Sequence, residues 1–161
     1  MNWVILIASL ILVEAPKSWE AAQAAIDREG AYGSLQIRQL ALDDVNTHSS
    51  VSMRQRWGKD ALTLEDCLDQ SVSMWVCREY LTYWGNHYTK TTGKEPTYEV
   101  MSRMWNGGPQ GWQRPSTDRY WSKVEKEILV HATHDCGLDT PEMEIAIWAY
   151  NTTHQQRKER K

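Results

Sequence analysis

The feature that most constrains the fold is an apolar run from Trp3 to Val13 that ends on Glu14. The run has no polar face, so a helix over these residues must be buried on nearly all sides. Glu14 then lies at the negative end of the helix dipole, beside apolar residues, and both effects favour the protonated acid. Such an acid can donate a proton to a leaving oxygen. The alternative is that Glu14 only marks where the helix emerges into solvent.

Length and composition limit the class of protein. The 161 residues fit one domain, 1–161, in which 138–161 form a C-terminal helix and basic tail. A formal charge of -3 argues against a general nucleic-acid binder. Three cysteines, Cys67, Cys77 and Cys136, cannot all pair within one chain, which favours folding in a reducing compartment.

The apolar run is too short for a membrane span, and no Lys or Arg precedes it. We therefore expect a core helix without stable membrane insertion. The alternative is that the run serves as a signal peptide or signal anchor.

Apolar residues spaced by three and four predict helices over most of the chain. The first three predicted helices cover 38–46, 63–85 and 97–105. A fourth is capped by Ser116 or Thr117 and extends to 129, and a last helix begins at about 140. Polar loops are predicted at 47–52 and 89–96. Thr63 and Asp66 resemble a capping box. A short strand is predicted at 35–37, with Gln36 turned away from the core. The expected fold class is mainly α, with at most a very small β element.

Four segments of this chain occur in an order that resembles a known family. They are the helix ending in Glu14, then Gly33-Ser34-Leu35-Gln36-Ile37, then Trp105-Asn106-Gly107-Gly108-Pro109, and then Thr117-Asp118-Arg119-Tyr120. The last three are similar to Gly-Leu-Met-Gln-Ile/Val, Tyr-Asn-Ala-Gly-Pro and Glu-Thr-x-x-Tyr. The chain thereby resembles the lysozyme-like family of soluble lytic transglycosylases and goose-type lysozymes, particularly the compact versions carried by bacteriophages.

The resemblance implies a lysozyme-like single domain whose cleft binds the glycan strand of peptidoglycan. Glu14 would protonate the glycosidic oxygen between N-acetylmuramic acid and N-acetylglucosamine. In a lytic transglycosylase it would then act as base on the muramic C6 hydroxyl, giving a 1,6-anhydro sugar without consuming water. The family needs no metal and no organic cofactor, so none is expected here.

The resemblance also assigns roles by position. Gly33, Ser34 and Gln36 would line the cleft beside the acid, Asn106 would face the scissile region, and the Tyr120 hydroxyl would lie near Glu14. For each of them a structural role, in a turn or in the core, is the alternative. Two departures from the family matter: Ala15-Pro16 follows the acid where Ser is usual, and Ile37-Arg38 replaces Met-Pro.

Asp27 is a second candidate catalytic residue. It lies before the glycine segment, in a place that resembles that of an acid positioning water in goose-type lysozymes. A second carboxylate roughly 6.5 to 9.5 Å from the first would allow inverting hydrolysis. The alternative for Asp27 is a turn residue. Glu20 and Glu29 lie in polar surroundings, which leaves Glu14 as the preferred general acid.

Two further motifs are interpreted as incidental. His131, His134 and Cys136 lack a matching second half of a zinc site and are expected at a helix surface. Tyr150-Asn151 repeats the Tyr-Asn dipeptide without a following glycine.

The function hypotheses are therefore a lytic transglycosylase, a hydrolysing muramidase using Asp27, and a non-catalytic phage structural or wall-binding module. We expect a monomer that is made in the cytoplasm of a bacterial, phage-infected host. It would act on the periplasmic wall or travel in a virion.

Overall fold

The computed structural model describes residues 1–14 and 30–133, with side chains through 130. This part of the chain is mainly α. Its helices are α1 (Trp3–Glu14), α2 (Gln39–His48), α3 (Ser50–Trp57), α4 (Gln70–Thr92), α5 (Tyr98–Gly107) and α6 (Asp118–Thr133). Short 3-10 turns lie at Asp66–Leu68, Gly111–Gln113 and Pro115–Thr117, and one antiparallel β-bridge joins Tyr32 to Ile37. The predicted fold class is confirmed.

Helix α1 is the centre of the packing. The Asn2 side chain starts it by accepting a hydrogen bond from the Val4 N–H at 3.0 Å. Leu6, Leu10 and Ile11 are fully buried, and the helix packs most extensively against α6 and also against α4 and α5. Each such side chain contributes about 1.5–3 kcal/mol through burial. The prediction that the apolar run is a helix buried on nearly all sides is confirmed. None of the described helices is both long and apolar enough to cross a membrane.

Helix α4 is the longest described helix, and the candidate site residues lie along it. Asp69 caps its start by accepting from the backbone N–H groups of Ser71 and Val72. The helix ends at Gly93, whose φ of 70° closes it in the left-handed conformation. The predicted stop at Gly85 is wrong. A Cβ at Gly85 would lie 2.5 Å from the Met101 Cε, so this glycine lets α5 approach α4 closely.

Two predicted loops are largely helical. The loop expected at 47–52 is replaced by α2 and α3, which are separated by Ser49 alone; its N–H donates to Val45 O and its carbonyl accepts from Met53 N–H. The loop expected at 89–96 is helical through Thr92. There the threonine hydroxyls donate to carbonyls four residues back, as Thr92 does to Tyr88 O at 2.9 Å, which keeps polar residues compatible with a helix.

One other start is wrong and two agree with the sequence. The helix predicted from residue 63 begins only at Gln70; Thr63 and Asp66 do exchange the hydrogen bonds of a capping box, but these precede the 3-10 turn at Asp66–Leu68. Thr97 caps α5 by accepting from Val100 N–H, and this helix ends at Gly107, close to its predicted end at residue 105. Helix α6 begins one residue after Thr117. The helix predicted from about residue 140 and the basic tail lie outside the described residues.

Candidate functional site

The acid at the end of α1 lies beside a buried phenol. Glu14 is half-buried, and Tyr120 lies in the first turn of α6, the helix that packs most extensively on α1. Burial raises the pKa of Tyr120 well above its ordinary value, and the charge of Glu14 and a side-chain contact with it raise the pKa further. The hydroxyl is buried, yet among residues 1–14 and 30–133 it has no partner at ordinary hydrogen-bond geometry. Its approach to Glu14 is therefore long or poorly aligned.

Cys77 on α4 is the third group at this point. It is fully buried, and burial followed by the nearby charge of Glu14 raises the pKa of its thiol well above the ordinary value. The thiol contributes in turn to the raised pKa of Tyr120. The end of α1, the middle of α4 and the start of α6 therefore meet around one carboxylate. Sequence reasoning assigned Cys77 no place in the site, and no local motif marks it.

The glycine segment predicted to line the cleft forms a tight hairpin. Tyr32 and Ile37 exchange two backbone hydrogen bonds of 2.8 Å around a four-residue turn. Gly33 and Gln36 both have positive φ, 73° and 52°, and the Gln36 amide donates to Gly33 O at 2.9 Å. A positive φ is uncommon for a residue other than glycine. The expected strand is thus a single bridge, although Gln36 is half-buried while Leu35 and Ile37 beside it are fully buried, as predicted.

Gly33 fixes this hairpin against the start of α4. A Cβ there would lie 2.2 Å from Cys67 O and 2.9 Å from the Ser73 Oγ, so only glycine fits. The Ser73 hydroxyl itself donates to Cys67 O at 2.7 Å. Ser73 and Cys77 are four residues apart, about 6 Å along one face of the helix. The hairpin and Glu14 therefore adjoin successive turns of α4.

The remaining predicted contacts differ in accessibility. The Ser34 hydroxyl is buried without a partner in the hairpin. Asn106 is exposed in the last turn of α5. Its neighbour Trp105 packs edge-on against Tyr80, with ring centroids 5.7 Å apart. Because Tyr80 lies three residues after Cys77, Trp105 and its neighbour Asn106 lie near the next turn of α4.

An arginine that sequence reasoning did not identify fixes the start of α6. Arg103 on α5 is largely buried, and its guanidinium pairs with Glu99 at 2.8 Å and Asp118 at 2.8 Å. Its Nε also donates to the Thr117 hydroxyl at 2.9 Å. The spacing of Glu99 and Arg103 by four residues could have indicated the first pair. The pairs with residues beyond α5 could not have been read from the sequence.

Thr117 completes this arrangement, which we name the Arg103 cluster and define as Arg103, Glu99, Asp118, Thr117 and the carbonyls it bonds. The Thr117 hydroxyl lies 2.8 Å from Gly111 O and 2.7 Å from Arg114 O. These contacts connect the end of α5 to the start of α6. Tyr120 follows one turn later, so the cluster holds the phenol in position beside Glu14.

Several sequence predictions lie outside the described residues. They concern Asp27, Glu20, Glu29, the Ala15-Pro16 step, His134, Cys136 and Tyr150-Asn151. His131 belongs to α6 without a described side chain. Within the part of the chain that is described, Cys67 and Cys77 are buried free thiols, and no group of His, Cys, Asp and Glu is arranged to hold a metal ion.

Comparison with known proteins gives one partial relationship. A protein of Magallana gigas named Lysozyme is 34% identical over 70 residues, which make up 39% of this chain and 51% of that protein. The chain is similar to a lysozyme over part of its length. It therefore spans about half the length of the relative it matches. No protein-family model matches the chain, and no solved structure gives a significant match. The similarity supports a lysozyme-like relationship in general and does not single out lytic transglycosylases or goose-type lysozymes.

Proposed function

We propose that this protein cleaves the β-1,4 bond between N-acetylmuramic acid and N-acetylglucosamine in peptidoglycan, acting as a lytic transglycosylase with Glu14 as its general acid and base. The observation that carries the proposal is the placement of Glu14. It ends a buried helix and lies beside the Tyr120 hydroxyl and the Cys77 thiol, whose pKa values are both raised. The partial similarity to a protein named Lysozyme supports a glycosidic substrate.

The proposed reaction uses one carboxyl group twice. Protonated Glu14 donates its proton to the glycosidic oxygen as the bond from that oxygen to the muramic C1 breaks. The resulting carboxylate then accepts the proton of the muramic C6 hydroxyl while the C6 oxygen bonds to C1. A 1,6-anhydro sugar results, Glu14 regains its proton, and no water is consumed.

The neighbours of Glu14 suit the second half of this cycle. The raised pKa of Tyr120 keeps its hydroxyl protonated, so it can donate a hydrogen bond to the carboxylate that forms when the proton leaves. Among the residues that the structure describes, the hydroxyl has no competing partner at ordinary geometry. We therefore assign Tyr120 to stabilising the ionised form of Glu14 during the second step.

The hairpin is assigned to the wall of the cleft. Gln36 is its more accessible polar side chain, and its positive φ is a conformation that costs of order 1–3 kcal/mol and is typically retained at functional sites. Gly33 and Ser34 are largely buried beneath it and hold its shape. Asn106 is assigned to the sugar next to the scissile bond, on the side of α4 that carries Tyr80.

A hydrolysing muramidase is the second candidate, because the similar protein carries the name Lysozyme. In that reaction Asp27 would hold a water molecule that attacks C1, and Glu14 would serve only as the acid. The two candidates differ in products, since hydrolysis leaves a reducing end that is one water heavier than the anhydro end.

A mass spectrum of purified peptidoglycan digested with the full chain tests this proposal, with Glu14→Gln as the blank. Anhydromuramyl ends formed by the parent protein and absent from the blank are expected. Reducing ends would replace the transglycosylase by the muramidase. If the parent protein sediments with peptidoglycan and releases nothing, the non-catalytic wall-binding module is the correct reading.

A further inference from the structure

A groove of about 280 Å³ lies between the start of α1, the second half of α4 and the loop that joins α4 to α5. It combines an aromatic ring and apolar side chains with hydroxyl, amide and carboxylate groups. The lining residues that matter below are Trp3, Thr82, Asn86, Thr89, Glu95 and Met101. Sites for small molecules commonly have this composition, with an apolar surface and a few polar groups that set orientation.

The groove lies apart from the acid of the candidate active site. Trp3 and Glu14 begin and end α1, so they lie about 16 Å apart along its axis. On α4, Thr82 and Asn86 lie about 140° and about 180° around the helix axis from Cys77, which adjoins Glu14. A molecule in the groove therefore occupies a different side of α4 from a substrate at Glu14.

The walls of the groove are held in place by contacts between its elements. The Asn2 backbone N–H donates to the Tyr98 hydroxyl at 2.9 Å, which joins the start of α1, and Trp3 with it, to α5. At Gly85 a Cβ would lie 2.5 Å from Met101 Cε, so the Met101 side chain closes the floor against α4. Preformed walls lose little side-chain freedom on binding, which favours affinity.

Three polar side chains of the groove are open to a ligand. Thr82, Asn86 and Glu95 are exposed, and within the part of the chain that is described their side chains form no hydrogen bond or ion pair. The Thr89 hydroxyl, in contrast, donates to Gly85 O at 3.2 Å. Thr82 and Asn86 are four residues apart and share one face of α4. Together with Glu95 they offer a hydroxyl, an amide and a carboxylate.

These groups favour a sugar over a charged ligand. The charge of Glu95 repels an anion, and an ammonium group, which only donates, leaves the N–H donors of Asn86 unused. Sugar hydroxyls both donate and accept, so they pair with all three groups, and the half-buried ring of Trp3 offers an apolar face to the C–H side of a pyranose. We propose that this groove is a second sugar site, which holds a sugar of the cell-wall glycan without cleaving it. The choice of glycan rests on the proposed function.

A second site would keep the protein on the wall between cleavage events. Two weak sites on one molecule act at a high effective concentration when both reach the same insoluble material. Loss of the groove should therefore lower the fraction of protein that sediments with peptidoglycan. The cleavage rate on soluble fragments too short to occupy both sites should stay at the parent value.

The test is an NMR titration of the full chain carrying Glu14→Gln with N-acetylglucosamine and its dimer and trimer, observed through isotopically labelled methionine methyl groups. The Met101 methyl lies at the floor of the groove, whereas the fully buried Met53 lies outside its lining and serves as the internal reference. We expect the Met101 signal to shift and saturate with added sugar while the Met53 signal stays in place.

Two variants assign the shift to the groove. Glu95→Ala should weaken the affinity measured at Met101 about tenfold, and Asn86→Ala about fivefold, because a hydrogen bond to a charged group contributes more than one to a neutral group. The matched controls are Glu125→Ala on α6 and Gln55→Ala on α3, which remove an exposed acid and an exposed amide outside the groove lining and should leave the affinity unchanged. All four variants change exposed side chains, so the thermal melt should not move.

A Met101 signal that does not respond to sugar would overturn the proposal, as would parent-like affinity in both groove variants. Tighter binding of butylammonium than of sugar at Met101 would also overturn it, because the groove would then be a cation site. If the shift depends on Glu95 and Asn86 but the parent protein never cleaves peptidoglycan, the proposed function fails while the sugar site stands.

Discussion

Thr117 and Tyr120 lie three residues apart at the start of α6, and their hydroxyl groups have opposite surroundings. Both residues are buried, at 2% and 9% exposure. The Thr117 hydroxyl contacts Arg103 and two carbonyls, whereas the Tyr120 hydroxyl faces Glu14 and has no partner at ordinary geometry in the described part of the chain. A buried polar group without a partner costs about 1–3 kcal/mol. The first hydroxyl therefore stabilises the fold, and the second is available for the role at Glu14 that is proposed above.

The largest loss of stability is expected at Gly111, whose carbonyl oxygen contacts the Thr117 hydroxyl. A Cβ at Gly111 would lie 1.9 Å from Arg103 O, so Gly111→Ala must push the two backbones apart. We expect a loss of about 3 kcal/mol in the free energy of unfolding, measured by urea titration. Gly93→Ala is the matched control, because its Cβ meets open space and its left-handed backbone, with φ of 70° and ψ of 11°, costs an alanine only about 1 kcal/mol. Equal losses in the two variants would show that the close contact is not rigid.

Removing the bonded hydroxyl should cost less. Thr117→Val keeps the shape of the side chain but leaves Arg103 Nε and the carbonyls without this partner. We expect about 2 kcal/mol of destabilisation in the same titration. A loss below about 0.5 kcal/mol would mean that water replaces the hydroxyl, and the Arg103 cluster would not be the support described above.

The free energy of unfolding should fall at alkaline pH because of Cys67, whose backbone carbonyl lies against Gly33 of the hairpin. Burial, followed by the charges of Asp66 and Glu65, raises the pKa of Cys67 from 9.0 to about 12. The folded state therefore holds a proton that the unfolded state releases between pH 9 and 12. Stability is fully present below pH 9 and falls above it, by up to about 1.4 kcal/mol per pH unit for this thiol. Urea titrations at pH 8 and pH 10 measure the fall, which should be smaller in Cys67→Ala; an identical fall would contradict the assignment.

The smallest effect on stability is expected at the unpaired hydroxyl. Tyr120→Phe removes a group that has no well-formed hydrogen bond, so the free energy of unfolding should change by less than about 0.5 kcal/mol or rise. The cleavage rate should nevertheless fall about tenfold, because Glu14 loses a donor worth about 1.5 kcal/mol when it is charged. Thr117→Val provides the matched hydroxyl deletion. If Tyr120→Phe destabilises as much as Thr117→Val does, the distinction between the two regions is wrong.

The sequence predicted local features better than contacts between helices. The apolar helix into Glu14 and the helix predicted from residue 97 follow from neighbouring residues, and each is confirmed. These features need no knowledge of distant partners.

The wrong predictions and the missed residues mostly depend on partners that are distant in the sequence. Gly85 was predicted to end a helix because its packing partner, Met101, is sixteen residues away. Polar residues near Ser49 and Thr92 were predicted as loops, although exposed helices accept them when their hydroxyls bond the preceding turn. Arg103 and Cys77 were not identified because their partners come from other helices. The role of Asp27 stays a prediction.

The most direct test of the account is the rate at which Glu14→Gln releases fragments from purified peptidoglycan. Glutamine keeps the size of the side chain and its place beside Tyr120 but cannot donate the proton, so the rate should fall by about 10²- to 10⁴-fold. The thermal melt and the sedimentation of the protein with peptidoglycan should stay unchanged. A variant that folds, binds and still releases fragments at the parent rate would contradict the claim that Glu14 is the general acid.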